Sequence, residues 1–253
     1  MIVYAHRGAN RELPENTLEA FRLAIDLGAD ALETDVHVTR DGAVVVHHDA
    51  TGARTSNVGV ALAALTLADV RRWNLSFGFR APDGQGLVNA TFRVPTFDEL
   101  LEAFPDVRLN VDIKPDDARA ARVVVDVVRR HRAEPRVLLT SFHDRVVTAV
   151  RASGYRGETG LARNEVLRLL AAPPGTPRVL LPKGDRAQLP LRMGPVELVR
   201  PSFVRRLQRL GYAVDFWVVN DPSDARRAQD AEADGIMTDD PRRIVEAVVR
   251  ASA

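Results

Sequence analysis

The sequence contains no cysteine in its 253 residues. That excludes disulfides, thiolate metal sites and cysteine nucleophiles. Lysine is almost missing: Lys114 and Lys183 are the only two, and the remaining strong bases are arginines. A lysine so rare draws attention to where it stands. No apolar run approaches the length of a membrane span, so none is expected. Net charge is +1 and no block of like charge stands out, which removes the electrostatic case for nucleic acid or an anionic membrane. Residues 1–30 lack a basic segment followed by an apolar core, so no signal peptide is expected and a cytoplasmic location is the default.

What is present suits one large domain. Hydrophobic residues make up 45% of the chain, and α/β barrels commonly have this length. The first fifty residues organise the rest. The apolar run Ile2-Val3-Tyr4-Ala5 stops at His6-Arg7-Gly8. A second run, Ala31 to Val38, carries Glu33 and Asp35. A third, Ala43 to Val46, ends in His47-His48-Asp49. Side chains alternate along a strand, so Glu33 and Asp35 share a face. Two carboxylates on one face resist joint ionisation unless a cation lies between them. The plain alternative is two solvated acids on an edge strand, which the apolar opposite face argues against.

The chain then alternates strand and helix. Asn16 is expected to cap a first helix, with Glu19 completing a capping box. Residues 51–94 break the rhythm with turn formers, including Asp83-Gly84 and Gly86. Trp73, Leu75, Phe77 and Phe79 alternate there and are read as aromatics and apolars packing on the barrel rim rather than gripping a substrate. Helices follow over about Thr96–Phe104, Asp117–Arg132 and up to Ser153. Strands are expected at Arg108–Lys114, Arg136–Ser141 and Tyr155–Ala162. Asn164 and Ser202 read as caps of two later helices. Prolines cut up 173–200, where a short strand near Gln188-Leu189 and an extended Val196–Val199 are expected. Strands at Ala213–Val219 and Gly235–Thr238, with helices at Pro222–Ala231 and from Pro241, complete the chain. About eight strands, mostly followed by helices, imply a (β/α)8 TIM-type barrel with an insertion at about 51–94, after the second barrel strand. Such barrels place their sites at the C-terminal strand ends. His6, Glu33, Asp35, His48, Asp112, Lys114 and Trp217 all fall there.

The ordered set His6-Arg7-Gly8, Pro14-Glu15-Asn16-Thr17, Glu33-x-Asp35, His48-Asp49, Asp112-x-Lys114, Trp217-x-x-Asn220 and Asp234-Gly235-x-x-Thr238-Asp239 resembles the glycerophosphodiester phosphodiesterase family. The resemblance runs from Ile2 to about Val249. It implies a TIM-type barrel, a divalent cation, and hydrolysis of glycerophosphodiesters to sn-glycerol 3-phosphate and an alcohol. The nucleophile it implies is water or the substrate's own neighbouring hydroxyl.

Residue chemistry points the same way. Glu33, Asp35 and Asp112 offer three hard oxygen ligands, which suits Mg²⁺ or Ca²⁺ better than Zn²⁺. Arg7 and Lys114 suit the remaining phosphate charge. His6 and His48 suit the proton transfers of diester cleavage near neutral pH. Trp217 either packs on the glycerol moiety or fills the barrel top. His47 is expected to turn outward, and His37 is left out of the set. Asp112 stands where the family usually has Glu, Gly52 where Leu is common, and Asp215 has no evident partner. Two rival readings are a phosphodiesterase acting on lysophospholipids or sphingomyelin-like lipids, and a non-catalytic phosphodiester-binding barrel.

Overall fold

The computed structural model of the protein describes residues 1–81, 87, 90–173 and 175–249. The expected turns at Asp83-Gly84 and Gly86 lie outside them.

The barrel strands follow from short apolar runs. They are β1 (Ile2–His6), β2 (Ala31–Val38), β6 (Arg108–Ile113), β7 (Val137–Thr140), β8 (Arg186–Pro190), β11 (Ala213–Trp217) and β12 (Gly235–Thr238). They pair in parallel in the order β7-β6-β2-β1-β12-β11-β8. A short β3 (Val44–Val46) runs antiparallel on β2. The fifth barrel position is filled by residues 159–161. It forms no regular strand: isolated parallel bridges join Leu139 to Thr159 and Gly160 to Arg186, with backbone hydrogen bonds such as Leu161 N–H to the Arg186 carbonyl at 3.0 Å. The expected strand at Tyr155–Ala162 is therefore reduced to this seam. The fold is a TIM-type barrel.

Helices cover the outside: α1 (Leu18–Asp26), the short α2 (Leu67–Val70), α3 (Phe97–Ala103), α4 (Ala118–Arg130), α5 (Asp144–Ala152), α6 (Arg163–Ala171), α7 (Pro201–Arg209), α8 (Pro222–Asp230) and α9 (Pro241–Val249). In α4, Ala121, Val124, Val125 and Val128 recur at helical spacing and are buried, so a single stripe faces the sheet. Asp117 caps its start and Arg129 and Arg130 lie in its last turn, matching the helix dipole at both ends.

Several caps differ from expectation. Thr17, not Asn16, caps α1, accepting from the Ala20 N–H. Asn164 bonds to Asp144 instead, while Glu165 reaches back to the Ala162 N–H at the start of α6. Helix α7 begins at Pro201, ahead of Ser202.

The inserted segment holds a two-strand ribbon, β4 (Thr51–Gly52) with β5 (Val58–Ala61). Trp73, Leu75, Leu62, Val70, Phe92 and Val94 pack with Val45 into their own buried cluster. Trp73 and Leu75 thus behave as rim packing, whereas Phe77 is 48% exposed. A tight ribbon of β9 (Arg192–Met193) and β10 (Val196–Glu197) follows β8.

Inside the barrel, Asp215 has a partner the sequence did not reveal. Arg186 donates to it through Nε at 2.7 Å and Nη2 at 2.6 Å, and both residues are buried. A buried pair of this kind contributes little net, but losing one partner strands a charge. Arg186→Met should cost about 3–5 kcal/mol of folding free energy, read as a lowered urea midpoint. Arg186→Met with Asp215→Leu should recover most of that loss.

Candidate active site

The site begins with a bend in the backbone. Arg7 follows β1 with φ of 58°, a left-handed conformation uncommon for arginine. Its N–H is held by the Glu33 carbonyl at 2.9 Å. This turn lets adjacent residues, His6 and Arg7, both face the mouth, where simple alternation would separate them. Gly8, at φ of +83°, follows. A Cβ there would meet the Ala20 backbone carbon at 2.7 Å, so only glycine lets the loop lie against α1.

Glu33 and Asp35 lie on β2, in register with Asn110 and Asp112 of β6. All three acids are buried. Lys114 Nζ stands between Asp35 Oδ1 at 2.8 Å and Asp112 Oδ2 at 2.7 Å. Arg7 Nε lies 3.2 Å from Asp35 Oδ2, and the Asn16 amide donates to the same oxygen at 3.0 Å. Asn16 is thus a site residue: its φ is 58° and its carbonyl oxygen accepts from Thr34.

Burial would raise Asp35, but Lys114 and Arg7 hold it below the ordinary carboxylate range. At Glu33 the pull of His6, Lys114 and Arg7 is outweighed. Burial, and then repulsion from Asp35, push it up to about 7. Burial also raises Asp112, against the pull of Lys114. One oxygen of each, Glu33 Oε2 and Asp112 Oδ1, is buried without a hydrogen-bond partner. Such orphaned anionic oxygens suit a cation. Among the described residues, no three acids or histidines are drawn together closely enough to hold an ion as they stand. The Lys114 ammonium fills the space between two of them.

Each mouth histidine is held by its own carboxylate. His6 Nδ1 bonds to Asp239 at 2.7 Å, and its Nε2 lies 3.8 Å from Glu33. Burial would lower His6, but Glu33 and the Asp239 bond outweigh it and raise it. Asp239 also accepts from Asn10 and Asn220. His48 Nδ1 bonds to Asp49 at 2.6 Å. His37 holds the His48 carbonyl through Nε2 at 3.0 Å. His47 does turn from the cavity. It is buried in the insertion, bonded to Thr55 and edge-on to Trp73.

His6, Arg7, Glu33, Asp35, His48, Asp112, Lys114 and Trp217 all line one cavity of about 450 Å³. Its other wall is apolar, with Phe142, Leu161, Leu167 and Met193. Trp217 meets Phe142 edge-to-face at 6.1 Å. Sequence reasoning passed over Asn16 and Asp239 as site residues, although both sat inside quoted motifs.

A TIM-type barrel with acids, cations and paired imidazoles at its C-terminal mouth defines an enzyme equipped for phosphate-ester chemistry. The model of the glycerophosphoryl diester phosphodiesterase family matches residues 6–243, and the chain belongs to that family. It is 35% identical to a probable glycerophosphodiester phosphodiesterase 2 of Mycobacterium tuberculosis, covering 94% of this chain and 87% of that one. It is 27% identical to lysophospholipase D GDPD1 of Homo sapiens, covering 95% and 83%. The crystal structure of a putative glycerophosphoryl diester phosphodiesterase from Silicibacter pomeroyi superimposes with a TM-score of 0.82 at 28% identity, covering 99% of this chain and 94% of that one.

The raised Glu33 carboxyl has a thermodynamic consequence. Its folded pKa of about 7 lies above the ordinary 4.5. The folded state therefore binds the extra proton, and this contribution to stability, complete below about pH 4.5, is lost as pH rises from there through about 7. In EDTA, Glu33→Gln should raise Tm by several degrees at pH 8 and leave it nearly unchanged below about pH 4, as differential scanning calorimetry would show.

Proposed function

We propose that this enzyme cleaves glycerophosphodiesters to sn-glycerol 3-phosphate and an alcohol, using His6 and His48 for proton transfer and one divalent cation, Mg²⁺ or Ca²⁺. The observation that carries the reading is that two carboxylate-held imidazoles, His6 with Asp239 and His48 with Asp49, line the same cavity as three acids. Glu33, Asp35 and Asp112 would hold the cation, with Lys114 withdrawing from between the last two. When bound, such an ion neutralises a phosphoryl oxygen and polarises phosphorus.

The chain's own groups do the rest. Arg7 presents its guanidinium to one non-bridging oxygen, and the Lys114 ammonium supplies a point charge to another. Each imidazole has Nδ1 bonded to a carboxylate, which fixes the ring and leaves Nε2 for the substrate. One takes a proton from the attacking group, a water or the substrate's own neighbouring hydroxyl, and the other gives one to the leaving alkoxide; where the hydroxyl attacks, a water then opens the cyclic phosphate to the monoester. Trp217 closes the side of the cavity where the organic part of the substrate lies. Burial of the three acids keeps the site dry enough for these charges to act strongly.

A specific feature favours a second substrate class. The apolar wall continues onto the surface, where Phe142 is 54%, Leu167 45% and Met193 37% exposed. Such a rim suits the single acyl chain of a lysophospholipid, the class named by the human relative. The wall comes from the β7–β8 side of the mouth and not from the inserted segment.

Purified protein assayed on glycerophosphocholine should release choline, lose activity in EDTA, and regain it with Mg²⁺ or Ca²⁺. His6→Ala and His48→Ala should each lower kcat by about 10²–10⁴-fold. Lysophosphatidylcholine should be turned over as well, and Leu167→Asp should raise its KM without changing that for glycerophosphocholine. Full activity in EDTA, or in either histidine variant, would refute the mechanism.

A further inference from the structure

We propose that Arg54, carried by the inserted segment, is a positioning residue that aligns His48 and Arg7 through two carboxylates, Asp49 and Glu15. The inference rests on the roles given above to His48 and Arg7.

The geometry is a fork shared by two acids. Arg54 Nε donates to Asp49 Oδ2 at 2.8 Å. Its Nη1 donates to Glu15 Oε2 at 2.6 Å, and its Nη2 to Glu15 Oε1 at 2.7 Å. Each acid also holds a mouth residue. Asp49 Oδ1 bonds to His48 Nδ1 at 2.6 Å. Glu15 Oε1 accepts from Arg7 Nη1 at 3.2 Å. Arg7 in turn lies against Asp35. One guanidinium thus stands behind both the imidazole and the phosphate-facing arginine.

A carboxylate held at one oxygen can still turn about its own bonds. Asp49 is partly exposed, with 31% of its side chain open to solvent, so a single bond to His48 would leave it that freedom. Arg54 takes the second oxygen and fixes the carboxylate plane, and with it the imidazole. The bidentate grip on Glu15 does the same for Arg7.

The turn that carries Arg54 is itself anchored. His47 bonds to the Asp49 carbonyl and to the Thr55 hydroxyl, and lies edge-on to Trp73. Ser56 N–H donates to the Gly52 carbonyl at 2.7 Å. A Cβ on Gly52 would meet Ser56 Oγ at 2.1 Å and Trp73 at 2.6 Å. The glycine that replaces the family's usual leucine is therefore what lets the turn close beneath Arg54. The residues flanking Arg54 are fixed by buried groups, although half of its own side chain is exposed.

That exposure separates a positioning role from a stabilising one. Exposed ion pairs contribute about 0–1 kcal/mol to folding, so removing Arg54 should leave Tm almost unchanged. Its effect should appear in kinetics on glycerophosphocholine. Arg54→Gln should lower kcat roughly tenfold, as loss of an outer-shell orienting partner does, and raise KM about threefold through Arg7. In an Asp49→Asn background the same change should cost less than about twofold in kcat, because the two residues act in series. Arg54→Lys keeps the charge without the fork and should fall between Gln and wild type. Added guanidinium at low millimolar concentration should restore part of the kcat of Arg54→Ala.

Wild-type kcat and KM for Arg54→Gln would overturn the inference. So would an equal loss in the wild-type and Asp49→Asn backgrounds. His48→Ala, run in the same series, separates the two levels. If it keeps full activity, the proposed mechanism fails. If it is inactive while Arg54→Gln is not impaired, only the role of Arg54 fails.

Discussion

Repulsion among three carboxylates in a nearly dry barrel mouth is the constraint around which the site is built. Glu33, Asp35 and Asp112 sit on two adjacent strands with almost no access to water. Like charges that close cannot all ionise without cations among them. The chain supplies two, Lys114 and Arg7, and both lie against Asp35. Asp35 is therefore kept ionised while Glu33 is left protonatable near neutral pH. The unequal treatment creates room for one more positive charge on the Glu33 side, beside the His6 imidazole.

Closure of the barrel brings the mouth histidines under control. Strands β1 and β12 pair in parallel, with Ala5 opposite Thr238. That register sets the residues just beyond, His6 and Asp239, side by side. The chain's first and last strands thus complete one imidazole–carboxylate pair. The other pair, His48 with Asp49, is local in sequence and depends on the insertion for its support. One histidine is fixed by the fold as a whole and the other by a segment laid over it.

Much of this was readable in the residues. Strand alternation put Glu33 with Asp35 and Asp112 with Lys114 on shared faces, and each pair does face the cavity. Short apolar runs gave most barrel strands within a residue or two. What was missed had physical reasons. Asn16 matched a cap, but Thr17 took that role because a left-handed turn at Asn16 sends its amide to Asp35. Asp215 lacked a visible partner because Arg186 begins a strand hidden among prolines. The strand read at Tyr155–Ala162 was overcalled, since its alternating residues say nothing of how few can pair. Arg54 carried no local signal at all. Its partners come from the β1–α1 loop and the end of the β3 segment, and only tertiary closure brings them within reach.

The seam at residues 159–161 makes the mouth mechanically uneven. The acids and their cations stand on a continuous ladder running from β12 through β1 and β2 to β6. The apolar wall, with Leu161 and Leu167, rises beside residues 159–161, which are joined to each neighbouring strand by a single bridge. Breathing is easiest where backbone pairing is thinnest. The side that carries the acids and cations can stay rigid while the apolar side yields. A barrel divided in this way can reshape its apolar wall without disturbing the cluster of charges opposite.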